Sequence, residues 1–165
     1  MDTSPVIELL QRQNISFTVH RFEYESGGGT KRSSTILGIS EHFVVKSLLF
    51  ETDERSPILV LMHGDRLVDT KELAKQLGVS KIWSCAPAVA QSFSGWPVGA
   101  TNPFILKTKM PIYVEETVMK LARVYINGGG QGLLVALSPI DIERLLSPRL
   151  VRCAKEKAVI VSKAP

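Results

Sequence analysis

Cysteine is scarce: the 165-residue chain has two, Cys85 and Cys153. Two cysteines exclude a disulfide-framed secreted scaffold, and neither has a second cysteine or a histidine at zinc-ligand spacing. No run of about 18 apolar residues occurs, so no membrane-spanning segment is expected. The start, Met1 to Leu10, carries Asp2 and Glu8 and lacks the basic and apolar regions of a signal peptide. A reduced, cytoplasmic protein is the expectation. Repeats, linkers and low-complexity stretches are also missing, which leaves one α/β domain over residues 1–165.

What is present suits a globular chain, with 44% hydrophobic and 22% charged residues. The formal charge of +4 is unevenly spread: residues 1–99 hold 10 Lys+Arg and 11 Asp+Glu, residues 100–165 hold 10 and 5. A basic second half either serves solubility or meets a polyanion, whose phosphates exchange their counterions for basic side chains.

Local signals order the chain into short elements. Ser4-Pro5 opens a helix through Asn14, Asp69 caps one ended by Gly78, Pro87 starts one through Gln91, and Ser138-Pro139 opens one through Leu146. A further short helix is expected near residues 33–38. Strands are expected at Ser16–Phe22, Val44–Glu51, Pro57–His63, Ile112–Glu115, Ala122–Asn127, Gly132–Leu137 and Ala158–Val161. The second and third of these should pair across the polar turn 52–56.

Three features could carry chemistry. Lys46 interrupts the apolar VVKSLLF. It is either an edge-strand lysine whose stem covers apolar surface, or an ammonium in a partly desolvated pocket. The loop Gly95 to Pro103 has small residues at Gly99 and Ala100, which let a ligand approach the backbone, between prolines at 97 and 103 that limit its motion. It is a rigid turn over a packed tryptophan, or a source of preset N–H groups for an oxyanion. The segment Asn127-Gly128-Gly129-Gly130-Gln131-Gly132 lacks the lysine of a P-loop and joins two strands rather than opening a helix. It reads as a flexible hairpin, or as a cradle of backbone N–H groups with the Asn127 amide.

Other candidates are weaker. His20, His42 and His63 show no metal-ligand spacing. Cys85 reads as a buried small hydrophobe, Trp83 and Trp96 as packing residues. Neither a catalytic triad pattern nor a nucleic-acid recognition motif is visible.

VVKSLLF, GWPVGATNP and INGGGQGLLVALSPIDIERLL, in this order and spacing, resemble the YbaK / prolyl-tRNA synthetase-associated editing-domain family. The resemblance implies a single α/β domain of the α+β type, with a mixed, mostly antiparallel, barrel-like sheet flanked by helices. It also implies a free-standing deacylase, acting in trans without a cofactor on the ester between a wrong amino acid and the 3′-terminal adenosine of a tRNA, tRNA(Pro) being one candidate. Lys46 matches the family's functional lysine, Gly99 the first glycine of its G-x-x-x-P loop, and Asn127 to Gly130 the glycine-rich segment lining the aminoacyl pocket. Phe22 falls near an aromatic position of the first strand. On this reading Lys46 holds the terminal adenosine or its phosphate, or polarises the ester carbonyl. The Gly99 N–H meets the oxyanion, Asn102 and Asn127 orient amine and water, and the basic second half meets the acceptor stem. A synthetase such as prolyl-tRNA synthetase is the implied protein partner. Leu134 stands where the Cys-tRNA(Pro) branch carries an acidic residue. This argues against cysteine and leaves alanine, serine, threonine or another small residue. The rival reading on the same fold is a non-catalytic tRNA- or synthetase-binding module.

Overall fold

Helix α1 (Pro5–Arg12) begins where Ser4 Oγ accepts from the Ile7 N–H. It presents Val6 and Leu10, both fully buried, to the core. Strand β1 (Thr18–Arg21) follows, then α2 (Gly29–Leu37), which starts four residues before the position read from sequence. The computed structural model describes residues 3–158.

Strands β2 (Val44–Thr52) and β3 (Pro57–His63) pair antiparallel across the expected turn. Their near-continuous apolar sequence has a simple cause: both faces of this hairpin are covered. Val45, Leu49, Leu59 and Leu61 meet α1 residues in one core, whereas Phe50, Ile58, Val60 and Met62 belong to a second. Alternation along a strand sends neighbours to opposite faces, so a strand buried on both sides is apolar throughout.

The short strand β4 (Arg66–Val68) leads into α3 (Thr70–Leu77), capped by Asp69 and closed by Gly78, with Leu73 in the second core. Strand β5 (Ile82–Ser84) and helix α4 (Pro87–Ser94) come next. After the irregular stretch come β6 (Ile112–Glu115), β7 (Val124–Asn127), β8 (Leu133–Leu137) and α5 (Pro139–Leu146). Strands β9 (Arg149–Val151) and β10 (Ala154–Glu156) end the described chain. The strand expected at Ala158–Val161 lies outside the described residues from position 159 on.

The main sheet runs β1-β8-β7-β2-β3-β6-β9, with β5 also on β2, and β10 pairs with β4 in a second small sheet. Three pairings, β2–β7, β3–β6 and β6–β9, are parallel and the rest antiparallel. Among the described residues the fold is thus a mixed α/β architecture, a large sheet flanked by five helices. Lys46 therefore lies on an interior strand, which corrects the edge-strand reading. The reason is topological, since β2 carries neighbours on both edges.

One break in this sheet positions the site. Along one edge β2 pairs with β7 at Val44 and Val45, and with β5 from Phe50 to Thr52. Between them the ladder lapses, resuming with the Cys85 N–H on Leu49 O at 3.1 Å. The interruption exposes Lys46, Ser47 and Leu48 to two cavities.

Candidate active site

The first cavity, of about 310 Å³, is lined by Val44 to Ser47 of β2, Leu134 of β8, Phe22, Tyr24, Gly99, Thr101 and Asn127, with α2 closing one side. Lys46, Gly99, Asn127 and Phe22, widely separated in sequence, meet here. Lys46 is half-buried, and its Nζ donates to the Arg66 carbonyl at 2.6 Å. Burial lowers its pKa and the Lys157 charge lowers it further, while Glu41 and Asp65 oppose the shift. An ammonium so placed retains hydrogens for a second acceptor.

The loop carrying Gly99 is tied down on several sides. Trp96 Nε1 donates to Ile105 O at 2.6 Å, and Gln131 Nε2 to Val98 O at 2.8 Å. Asn127 Nδ2 donates to Gly99 O at 2.7 Å. Gly99 has φ +89°, and a Cβ there would stand 2.5 Å from the Tyr24 ring. Only glycine meets both conditions. The Asn127 amide thereby fixes the orientation of the Gly99 peptide at the cavity wall.

Several of the expected site residues have structural partners instead of facing the cavity. Asn102 is fully buried away from the cavity, with Oδ1 accepting from the Phe104 and Ile105 N–H groups and Nδ2 donating to Ala100 O. Its amide shapes the loop. Ala100 is likewise buried at 2% exposure and does not line the cavity. Gly128, Gly129 and Gly130 do not line it either. Ser4 Oγ donates to Gly128 O at 2.6 Å, and a Cβ on Gly129 would meet Val6 at 2.8 Å. Gly129 lets helix α1 pack closely, a Cβ on Gly128 would meet Val135 at 2.9 Å, and Gly132 takes the place at the cavity wall. Asn127 does reach the wall, but its Oδ1 accepts from the Gly129 and Gly130 N–H groups and its Nδ2 also donates to Gly130 O. It clamps two loops.

Sequence reading also missed residues. Tyr24, Thr30, Arg32 and Thr101 line the cavity without forming a local pattern. Arg32 donates to Glu23 O and pairs with Glu25 at 2.9 Å, holding the segment after β1 against α2.

Spacing equally hid a cluster of His42, His63 and Asp65, whose donor atoms lie within 4.8 Å of one another. The two imidazoles stack at 3.7 Å with planes 7° apart. Nitrogen lone pairs lie in the ring planes, so rings this nearly parallel cannot aim at one cation about 2 Å from each. His63 already meets His42 O and Thr117 Oγ1, and His42 Nδ1 meets Asp65 at 2.8 Å. The trio fastens the β3–β4 turn, and with it the Arg66 carbonyl that holds Lys46.

Burial, aided by Glu51, raises the Cys85 thiol pKa to about 11, which favours the protonated thiol over the nucleophilic thiolate. Among the described residues no helix is long and apolar enough to cross a membrane.

With this geometry in view, comparison with known proteins is informative. Residues 28–145 match the model of the aminoacyl-tRNA editing domain. An Enterococcus faecalis protein named "Putative Cys-tRNA(Pro)/Cys-tRNA(Cys) deacylase EbsC" is 20% identical over 134 residues, covering 81% of this chain and 82% of that one. A proline–tRNA ligase of Brachyspira hyodysenteriae is 28% identical over 105 residues, 64% of this chain but 18% of the ligase. Among solved structures, one titled "Crystal structure of a putative trans-editing enzyme for prolyl tRNA synthetase" superposes with a TM-score of 0.78 at 19% identity, covering 93% of this chain and 99% of that one. At that identity the likeness concerns the fold. The match over most of the described chain carries the assignment: the chain belongs to the aminoacyl-tRNA editing domain family.

Proposed function

We propose that the protein is a trans-acting deacylase that hydrolyses the ester of a mischarged tRNA bearing a small amino acid. The observation that carries this reading is the convergence of the half-buried Lys46 ammonium and the clamped Gly99 loop on one cavity. An aminoacyl ester is already activated, so the chain needs chiefly to orient it and to stabilise the charge that develops on its carbonyl oxygen.

In the proposed reaction a water, activated by a hydroxyl of the substrate, attacks the ester carbonyl carbon. The bond from that carbon to the ribose oxygen breaks, and the water's proton passes to the leaving oxygen. The Gly99 N–H donates to the transient oxyanion, while Lys46 holds the terminal phosphate or the carbonyl oxygen. Phe22 and Leu134 give the side-chain pocket an apolar surface, Leu134 being 6% exposed. That surface suits a small uncharged side chain, with alanine, serine and threonine as first candidates. The basic residues beyond position 100 meet the acceptor stem, and a synthetase, prolyl-tRNA synthetase among the candidates, supplies the substrate.

A panel of mischarged tRNAs assayed for ester hydrolysis tests the proposal. Release of one small amino acid, lost in Lys46→Ala, supports it. Binding of tRNA with no hydrolysis of any substrate replaces it with the binding-module reading.

A further inference from the structure

The carbonyl that holds Lys46 belongs to Arg66, the first residue of β4. A continuous chain of side chains outside the cavity fixes that carbonyl. Asp65 Oδ2 accepts from Arg66 Nη1 at 2.9 Å, and Asp65 Oδ1 meets His42 Nδ1 at 2.8 Å. His42 sits in the 3₁₀ turn Glu41–Phe43 that leads into β2, so this pair ties the entry of the Lys46 strand to the Arg66 turn. The His42 ring lies flat on His63, which ends β3 at 1% exposure. His63 Nε2 meets Thr117 Oγ1 at 2.7 Å, and Glu115 Oε2 lies 3.5 Å beyond that hydroxyl. Glu115 Oε1 accepts from the Cys153 and Ala154 N–H groups at 2.7 and 2.8 Å. Ala154 opens β10, the strand paired with β4. One network therefore holds the Arg66 segment from both sides.

Proton placement gives this network two arrangements. His42 O can only accept, so His63 Nδ1 carries a hydrogen whether the ring is neutral or charged. In the neutral ring Nε2 is an acceptor and takes the Thr117 hydroxyl hydrogen. In the imidazolium Nε2 is a donor, so the Thr117 hydroxyl must turn its hydrogen away, toward Glu115 Oε2. The short contact to His63 beside the long one to Glu115 matches the neutral arrangement. The charged groups around His63 are His42 on the 3₁₀ turn, Asp65 on the β3–β4 turn and Glu115 on β6. Burial is the strongest influence and opposes a proton there, and His42 opposes it too, against the His42 carbonyl and the two carboxylates. Around Lys46 itself stand Lys157, Glu41 and Asp65, so Asp65 acts on both groups.

We propose that His42, His63 and Asp65 are positioning residues for Lys46, and that a proton on His63 releases the Arg66 carbonyl from the place in which it aims the ammonium. The effect on the reaction rests on the deacylase reading, whereas the effect on Lys46 does not. With His63 neutral, the stacked rings and Asp65 keep the turn as the structure shows it. A proton on His63 reverses the Thr117 hydroxyl and sets positive charge against the His42 face at 3.7 Å. The strain passes through Asp65 to Arg66, and a network with two arrangements is the kind of element that couples one site to another. Deacylation should fall with the titration of His63, although none of the trio lines the cavity.

The test follows the Lys46 side chain by NMR of its Cε and Nζ. In the wild type these resonances should move between about pH 7.5 and 5 with the midpoint of the His63 ring. His63→Gln keeps a donor for His42 O and an acceptor for Thr117 and should abolish that response. Thr117→Val removes the reversing hydroxyl and should weaken it, which provides a second reading if the glutamine variant does not fold. His20→Gln, at another histidine whose pKa burial lowers, should respond as the wild type does. Single-turnover deacylation should drop about tenfold more over this range in the wild type than in His63→Gln, within the usual scale of coupling between two sites. A Lys46 signal that ignores the His63 titration, or equal responses in the wild type and His63→Gln, would overturn the proposal. Coupled resonances in a protein that deacylates no tRNA retain the positioning network and remove the deacylase reading. Deacylation with uncoupled resonances does the reverse.

Discussion

Asn127 Nδ2 lies 2.7 Å from the Gly99 carbonyl, 28 positions away in sequence, while Asn127 Oδ1 holds the Gly129 N–H at the same distance. One amide thereby fixes the orientation of the Gly99 peptide and closes the glycine loop beside it. In the proposed reaction its contribution is positional.

Asn127→Ala should lower deacylation by about tenfold, ~1.4 kcal/mol in the barrier, on the scale of one or two lost hydrogen bonds. Asn127→Asp keeps the acceptor for Gly129 and Gly130 but sets a carboxylate oxygen against Gly99 O. It should be no more active than the alanine variant, whereas a role for the side-chain oxygen alone would spare it. Single-turnover rates beside thermal melts separate these outcomes.

Gly99→Ala demands an L residue at φ +89° and drives its methyl into Tyr24. The loop must shift, and activity should fall roughly a hundredfold, the scale of a lost oxyanion donor. Removing the obstructing ring in a Gly99→Ala/Tyr24→Ala double variant should restore part of it, measured as kcat on the same substrate.

Gly129→Ala should behave in the opposite way. Its methyl would press on Val6 with φ at +87°, so the cost falls on the packing of α1, roughly 1–3 kcal/mol in urea unfolding. At a temperature where the variant stays folded, kcat should remain within about threefold of wild type, less than 1 kcal/mol in the barrier.

Stability should fall as the medium becomes acidic. Burial lowers the His63 pKa, outweighing the neighbours that raise it, so the folded state takes up this proton later than the unfolded chain does. Stability is complete above the ordinary histidine pKa of about 6.5 and is lost progressively below it. Asp65 adds loss at lower pH. Burial pushes its pKa up, but the His42 hydrogen bond and the His42 and Arg66 charges bring it below the ordinary value. Urea midpoints between about pH 7 and 5 should decline in the wild type and decline less steeply in His63→Gln. Equal slopes would contradict the assignment.

Much of this architecture was legible in local sequence. Ser4, Asp69 and Ser138 announce their helices through capping chemistry that involves only neighbours. The apolar runs of β2 and β3 announce burial on two faces. Strands β4, β5 and β9, three residues each, were not legible, because long-range pairing stabilises them rather than their own composition. The site divides in the same way. Lys46, Gly99 and Phe22 stood out as oddities within their segments or through the family's pattern. Asn102 and the Gly128–Gly130 run stood out equally, yet their partners, Phe104 and Ile105 in one case and α1 in the other, give them structural work.

The central claim is hydrolysis at the Lys46–Gly99 cavity. Its most direct test is the single-turnover rate of ester cleavage on tRNAs mischarged with alanine, serine, threonine and cysteine, comparing the wild type with a folded Lys46→Ala variant. The account predicts cleavage of at least one small aminoacyl ester by the wild type, reduced by about tenfold or more in the variant, ~1.4 kcal/mol in the barrier. Equal rates for the two proteins, or no cleavage of any of these esters by the wild type, would contradict it.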